Sequence, residues 1–169
     1  MKQFLLMILV MFFSWGCCAA DSYNIYLVRH AEKLTASKDP ALTDCGNKRA
    51  EQLASLLSKT NIKAIYSTDY QRTMQTASPF AKQQKMVITT YHPKDLEKLA
   101  LQLAQKKENA LIVGHSNTTP MLVKLLTKQE VAPLTEQDFQ YLYQVQFTND
   151  NVVLTIFQQP LDCIASPID

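Results

Sequence analysis

Glycine is scarce in this chain. Its 169 residues include three, at positions 16, 46 and 114, too far apart to build G-x-G-x-x-G or a Walker A loop, so neither a dinucleotide nor a nucleoside triphosphate is indicated as ligand. Cysteine is nearly as thin: four residues, at 17, 18, 45 and 163, with no C-x-x-C, which argues against a zinc knuckle or a thioredoxin-like redox site. The three histidines, at 30, 92 and 115, include no pair at i,i+2 or i,i+4 spacing, and Arg29 beside His30 would repel a dication, so no metal is expected. Internal repeats, low-complexity tracts and linkers are missing too. With 47% hydrophobic and 19% charged residues, the composition fits one globular domain rather than two or a disordered chain.

The first twenty residues stand apart. Lys2 precedes an apolar run, 4–13, and then Ser14-Trp15-Gly16-Cys17-Cys18-Ala19-Ala20. This is the charged, apolar and small-residue order of a secretory signal, and ten residues are too few to cross a hydrocarbon layer of roughly 30 Å. Expected is a signal peptide at 1–20, cleaved after Ala20, and a single domain at 21–169 outside the cytoplasm, in the periplasm. Lipid attachment at Cys17 is the alternative, and with it the one route to a membrane. Loss of 1–20 removes Lys2 and no acid, leaving 16 basic against 15 acidic residues, a balance that gives no support to nucleic acid as partner. Cys45 and Cys163 remain and could pair in an oxidising compartment, a matter of geometry that sequence does not supply.

Runs rich in β-branched residues recur at 23–28, 62–66, 86–90 and 110–113, each followed by a helical pattern. The alternation predicts an α/β fold: a three-layer α/β/α sandwich on a mostly parallel sheet. The first helix should start at Thr43 as N-cap, with Ala50, Leu53, Ala54 and Leu57 on one face. A second opens near Asp69 and should kink or end at Pro79. The third carries Leu96, Leu99, Ala100, Leu103 and Ala104 inward, and the fourth begins beyond Asn117 with Pro120 in its first turn. The runs 141–147 and 152–157, separated by Thr148-Asn149-Asp150-Asn151, predict a C-terminal β-hairpin.

Polar residues break the apolar pattern where strands hand over to helices: Arg29-His30 after the first strand, Arg72 in "YSTDYQRTMQTA" after the second, and His115 in "LIVGHSNT" after the fourth. In an open α/β sheet such positions converge at the carboxyl ends of the strands. Each residue alone has a bland reading: a satisfied core histidine, a snorkelling arginine, a solvated helix face. Together they describe phosphoryl chemistry. The guanidinium fork of Arg29 and of Arg72 matches phosphate oxygens. A neutral His30 could attack phosphorus, giving a phosphohistidine that water cleaves, and His115 could stabilise charge on the equatorial oxygens. His92, in "YHPKD", has no such context and is expected to be a loop histidine.

These motifs, "IYLVRHAEK", "ALTDCG", "AIYSTDYQRTMQTA" and "LIVGHSNT" in this order, resemble those of the histidine phosphatase superfamily, with its phosphoglycerate-mutase-like fold. The resemblance implies that His30 is the phosphorylated nucleophile, Arg29 and Arg72 phosphate ligands, and His115 the second catalytic histidine, with no cofactor. The chain departs from the family pattern in having Ala31 where Arg-His-Gly is usual. The proton donor of mutases and many phosphatases is a carboxylate after the third strand; here Asp95 is the nearest candidate, with Glu32 and Asp69 as alternatives, and none fits the usual motif well. The chain also lacks the insertions of the mutases. It is expected to be a monomeric phosphomonoesterase with an open site, acting on a small phosphorylated substrate or a phosphoprotein. A phosphate-binding module of the envelope with weak catalysis is the alternative.

Overall fold

The first strand shows how the core is divided. Along β1 (Ser22–Arg29), Tyr23, Ile25 and Leu27 point to one side of the sheet and Tyr26 and Val28 to the other, and all five are buried. A strand apolar on both faces needs cover on both, which an α/β sandwich provides. The structure, a computed structural model, describes residues 22–35, 37–149 and 151–160. The expected signal segment, its cleavage point, Cys17, Cys18 and Cys163 lie outside the described residues.

Among the described residues, ten elements follow in chain order. They are β1, α1 (Asp44–Leu57), β2 (Ala64–Thr68), α2 (Gln71–Gln84), β3 (Ile88–Tyr91), α3 (Leu96–Lys106), β4 (Ala110–Gly114), α4 (Thr118–Thr127), β5 (Tyr141–Thr148) and β6 (Asn151–Gln158). The six strands form one sheet in the order β3-β2-β4-β1-β5-β6. β1 to β4 run parallel, and the hairpin β5–β6 joins antiparallel beside β1. Leu53, Ala54 and Leu57 of α1 and Ala77, Phe80 and Ala81 of α2 fill one core, while Leu99 and Leu103 of α3 and Leu122, Val123 and Leu126 of α4 fill the other. Each such side chain, fully buried, contributes about 1.5–3 kcal/mol of transfer free energy. The hairpin turns at Asn149, whose φ of 51° is a left-handed conformation asparagine tolerates.

Ala104, expected to face inward, is exposed on α3, and Pro79 does not end α2, which continues to Gln84. A proline here forfeits the bond its missing N–H would make to the carbonyl four residues back, at a cost of about 3 kcal/mol. The next two residues, Phe80 and Ala81, are buried on the core-facing side, and that burial holds the helix together beyond the break. The strands β2 and β3 also begin two residues later than their apolar runs, so Ser67 and Thr68 belong to β2.

α1 is placed against the end of β1 by its first turn. The Thr43 side chain accepts from the Gly46 amide at 3.0 Å, while the Thr43 amide donates to the Glu32 carbonyl at 2.9 Å. Gly46 packs so close to this loop that a Cβ there would lie 2.2 Å from the Glu32 carbonyl oxygen. Helix propensity favours alanine over glycine by about 0.5–1 kcal/mol, but backbone on backbone leaves nothing flexible to yield. Gly46→Ala should therefore destabilise the protein despite the propensity gain, lowering the urea midpoint with little change in slope in an equilibrium denaturation experiment.

Candidate active site

The polar residues singled out in the sequence meet at the carboxyl ends of the parallel strands. β1 and β4 pair so that Arg29 lies opposite Gly114, and the ladder runs one step further, with the His30 amide donating to the Gly114 carbonyl at 2.9 Å. That register sets His30 and His115 side by side, with ring centroids 5.6 Å apart and planes at 68°. Arg72 enters from the first turn of α2. Together Arg29, His30, Arg72 and His115 line a cavity of about 430 Å³.

Gly114 has no positive φ, so it is not there to turn the chain. A Cβ would meet the hydroxyls of Thr118, Thr119 and Tyr91 at 2.8–3.0 Å; the need is for space, where α4 starts hard against the strand end.

The state of each ring follows from its neighbours. His30 Nδ1 lies 2.8 Å from the Ala31 carbonyl, which only accepts, so Nδ1 carries the hydrogen and Nε2 keeps its lone pair. Ala31 is fully buried and its amide donates to Thr76 Oγ1 at 3.0 Å, so the residue replacing the usual glycine is anchored to α2. For His115, Nδ1 faces Arg72 Nη2 at 3.4 Å, and a guanidinium only donates, so Nδ1 accepts. Its Nε2–H then donates to Thr68 Oγ1 at 2.9 Å, and Thr68 in turn meets Thr73 Oγ1 at 3.0 Å.

Both guanidinium groups lie over aromatic rings. Arg29 lies 4.3 Å from the centroid of Phe139 and Arg72 4.5 Å from that of Tyr70. Each has been removed from water without full pairing: Nε of Arg29 and Nε of Arg72 are buried and lack a hydrogen-bond partner. Orphaned charged donors cost several kcal/mol unless an acceptor arrives, and both belong to arginines that line one cavity, which suits a receptor for an oxyanion. Arg29 also donates to the Thr135 carbonyl and, at 3.2 Å, to Glu136 Oε2. Arg72 Nη1 lies 3.4 Å from Asp39 Oδ1.

The three carboxylates considered as proton donors go elsewhere. Glu32 is gripped by Arg49, which donates Nε at 2.9 and 3.0 Å and Nη2 at 2.6 Å; this partly buried pair braces the loop after His30. Asp69 is exposed beyond β2, and Asp95 is the N-cap residue of α3; neither lines the cavity. His92 is exposed in the loop after β3, and its Nδ1 accepts from the Lys94 amide at 3.3 Å. Lys33, Tyr70, Lys94, Asn117 and Glu136 do line the cavity although nothing in the sequence pattern marked them. Tyr70 sits inside a quoted motif, so its place was open to inference; Glu136 lies in an aperiodic stretch after Pro133 that carried no signal.

Burial, reinforced by the nearby guanidinium charges and opposed by the Ala31 bond, lowers the His30 pKa from 6.5 to about 3. Burial and then Arg72 and Arg29 lower that of His115 to about 4, against a raising contribution from Asp39. Both rings are therefore neutral at physiological pH. The unfolded chain takes up protons on these rings as pH falls below 6.5, whereas the folded chain does so only near 4 and 3, so stability should fall as pH drops through that interval. Urea denaturation at neutral pH and at about pH 4.5, repeated with His30→Asn, checks this; the variant should show a shallower pH dependence.

The comparisons with known proteins agree with this geometry. Residues 25–97, which include Arg29, His30 and Arg72, match the family model of the histidine phosphatase superfamily (branch 1). No curated protein matches the sequence significantly. Among solved structures, the fold is similar to a mycobacterial glucosyl-3-phosphoglycerate phosphatase with inorganic phosphate (TM-score 0.62, 12% identity, covering 82% of this chain and 97% of that one). It is similar to a phosphoserine phosphatase from Entamoeba histolytica with 3-phosphoglyceric acid (TM-score 0.61, 17% identity, 81% and 97%). It is also similar to an Agrobacterium tumefaciens protein assigned as the phosphohistidine phosphatase SixA (TM-score 0.61, 21% identity, 79% and 97%). Identities this low speak for the fold alone. Over residues 25–97 the sequence thus matches the histidine phosphatase superfamily (branch 1), and the fold is similar to that of these phosphatases.

Proposed function

We propose that the protein is a phosphomonoester hydrolase that works through a phosphohistidine on His30, without metal, outside the cytoplasm. One observation carries the reading: a neutral imidazole with a free Nε2 lone pair shares a cavity with two guanidinium groups whose buried Nε–H donors lack partners. In this mechanism Arg29 and Arg72 take the phosphate oxygens and place phosphorus before Nε2, which attacks in line. The buried guanidiniums neutralise charge on the moving phosphoryl group, so the reaction needs no metal for that task. His115 faces the same oxygens through Nδ1. To donate there it must carry the hydrogen on that atom, and Thr68 allows the exchange because its hydroxyl can donate to Nε2 as readily as it accepts from it.

Water then hydrolyses phospho-His30. The substrate is a small phosphorylated molecule or a phosphoprotein, bound by a monomer. The signal-like first twenty residues support export, with either cleavage after Ala20 or a lipid anchor at Cys17. Cys45 is disulfide-bonded, which also suits an oxidising compartment.

A second reading has its own observation. None of Asp95, Glu32 and Asp69 lines the cavity, which favours a phosphate-binding module of weak catalysis. Turnover separates the two. Mixing with labelled p-nitrophenyl phosphate followed by acid quench should yield an acid-labile, base-stable phosphoryl-enzyme in the wild type and none in His30→Ala. Arg72→Ala should lower kcat/KM by about 10²–10³, the usual loss for one donor to a developing oxyanion. Phosphate affinity without any hydrolysis of this activated ester would establish the binding module instead.

A further inference from the structure

Expulsion of an alkoxide requires a proton, which a phenolate-type leaving group does not. Among the described carboxylates only Glu136 lines the cavity that holds His30 and His115. Asp39, the acid paired with Arg72, has its oxygens engaged by the Gln71 amide at 2.9 and 3.2 Å as well. We propose that Glu136 is the proton donor to the leaving group and then the base for the attacking water, which rests on the phosphohistidine reading above and extends it to alkyl phosphates.

The position of Glu136 is set by its neighbours. The stretch between α4 and β5 is fixed to Arg29 at two points, the Thr135 carbonyl accepting from Nη1 and the Phe139 ring lying under the guanidinium. Glu136 itself touches Arg29 Nη2 through Oε2 alone, at 3.2 Å, with its side chain 76% exposed. It is tethered beside the phosphate ligand yet free to swing.

Phosphate binding changes its surroundings. A phosphate dianion that takes Arg29 Nη2 displaces the carboxylate from that guanidinium and leaves it beside the bound ester. The charged and titratable groups that share this cavity are Arg29 from β1, His30 and Lys33 from the loop after it, Tyr70 and Arg72 at the start of α2, Lys94 before α3 and His115 after β4, with Asp138 on the same stretch as Glu136. The two arginines are consumed by the phosphate oxygens, which leaves the carboxyl facing the ester oxygen.

The steps balance. His30 Nε2 bonds to phosphorus as the ester P–O bond breaks, and the departing oxygen takes the Glu136 proton and leaves as the alcohol. Water then bonds to phosphorus, its proton passes to the Glu136 carboxylate, the P–Nε2 bond breaks and its electron pair returns to the ring. Inorganic phosphate leaves, and Glu136 is protonated again.

The test compares an alkyl phosphate such as glycerol 2-phosphate with p-nitrophenyl phosphate in wild type, Glu136→Gln and Glu136→Asp. Glutamine keeps an oxygen for Arg29 but cannot supply the proton. Expected is a loss of about 10²-fold or more in kcat/KM for the alkyl ester, at least tenfold larger than the loss for the aryl ester. Phosphoryl-enzyme should accumulate in the glutamine variant, and aspartate should restore part of the alkyl activity. Equal losses on both esters, no loss on either, or a wild type that turns over the aryl ester alone would overturn the assignment. The acid-quench experiment on the wild type reports separately on the phosphohistidine reading, since it needs no acid when the ester is p-nitrophenyl phosphate.

Discussion

The hydrogen bond from the His30 amide to the Gly114 carbonyl is the point on which the site depends. It extends the β1–β4 ladder by one residue past the end of β1, so two histidines 85 positions apart leave the sheet from adjacent, rigid strand ends. A one-residue slip of a strand reverses which face every side chain meets. Here the two apolar cores on either side of β1 forbid such a slip, because Ile25 and Leu27 would exchange places with Tyr26 and Val28. The register of the active site is in this sense paid for by the packing of the core.

The loops above the sheet are secured in the same economical way. Thr43 and Gly46 press α1 against Glu32, Arg49 clasps the Glu32 carboxylate, and Thr76 of α2 receives the Ala31 amide. Each contact joins a helix to one of the two residues that follow His30, Ala31 and Glu32. The imidazole is thus surrounded by a well-connected backbone, and its tautomer follows from a single carbonyl. By contrast the guanidinium groups are under-satisfied. They lie over Phe139 and Tyr70, each keeps a donor unpaired, and this imbalance suits the cavity to an anion as opposed to a closed structural network.

Most of the fold could be read from period and punctuation. Runs of β-branched residues alternating with helical stripes marked the four parallel strands, and the asparagine turn marked the hairpin, because burial on one or two faces writes a regular pattern into the chain. Pro79 did not end its helix: local backbone chemistry allowed a kink or a stop, and with Phe80 and Ala81 buried the chain stays helical to Gln84. The role of Gly114 was not legible in the sequence, since it makes room for three hydroxyls, a crowding that arises only when α4 folds back on β4.

The sequence by itself determined the strand ends that bear Arg29, His30, Arg72 and His115, since these residues interrupt apolar runs at places where an α/β sheet must present its carboxyl edge. Only the tertiary structure decided which carboxylate shares their cavity. Glu32, Asp69 and Asp95 stand near the motifs along the chain, yet one is taken by Arg49 and the others face solvent, while Glu136 comes from an aperiodic segment brought over the site by Thr135 and Phe139 on Arg29. Periodicity encodes elements that repeat their environment every two or four residues; a single side chain delivered by an irregular connection repeats nothing, and only the folded chain reveals where it arrives.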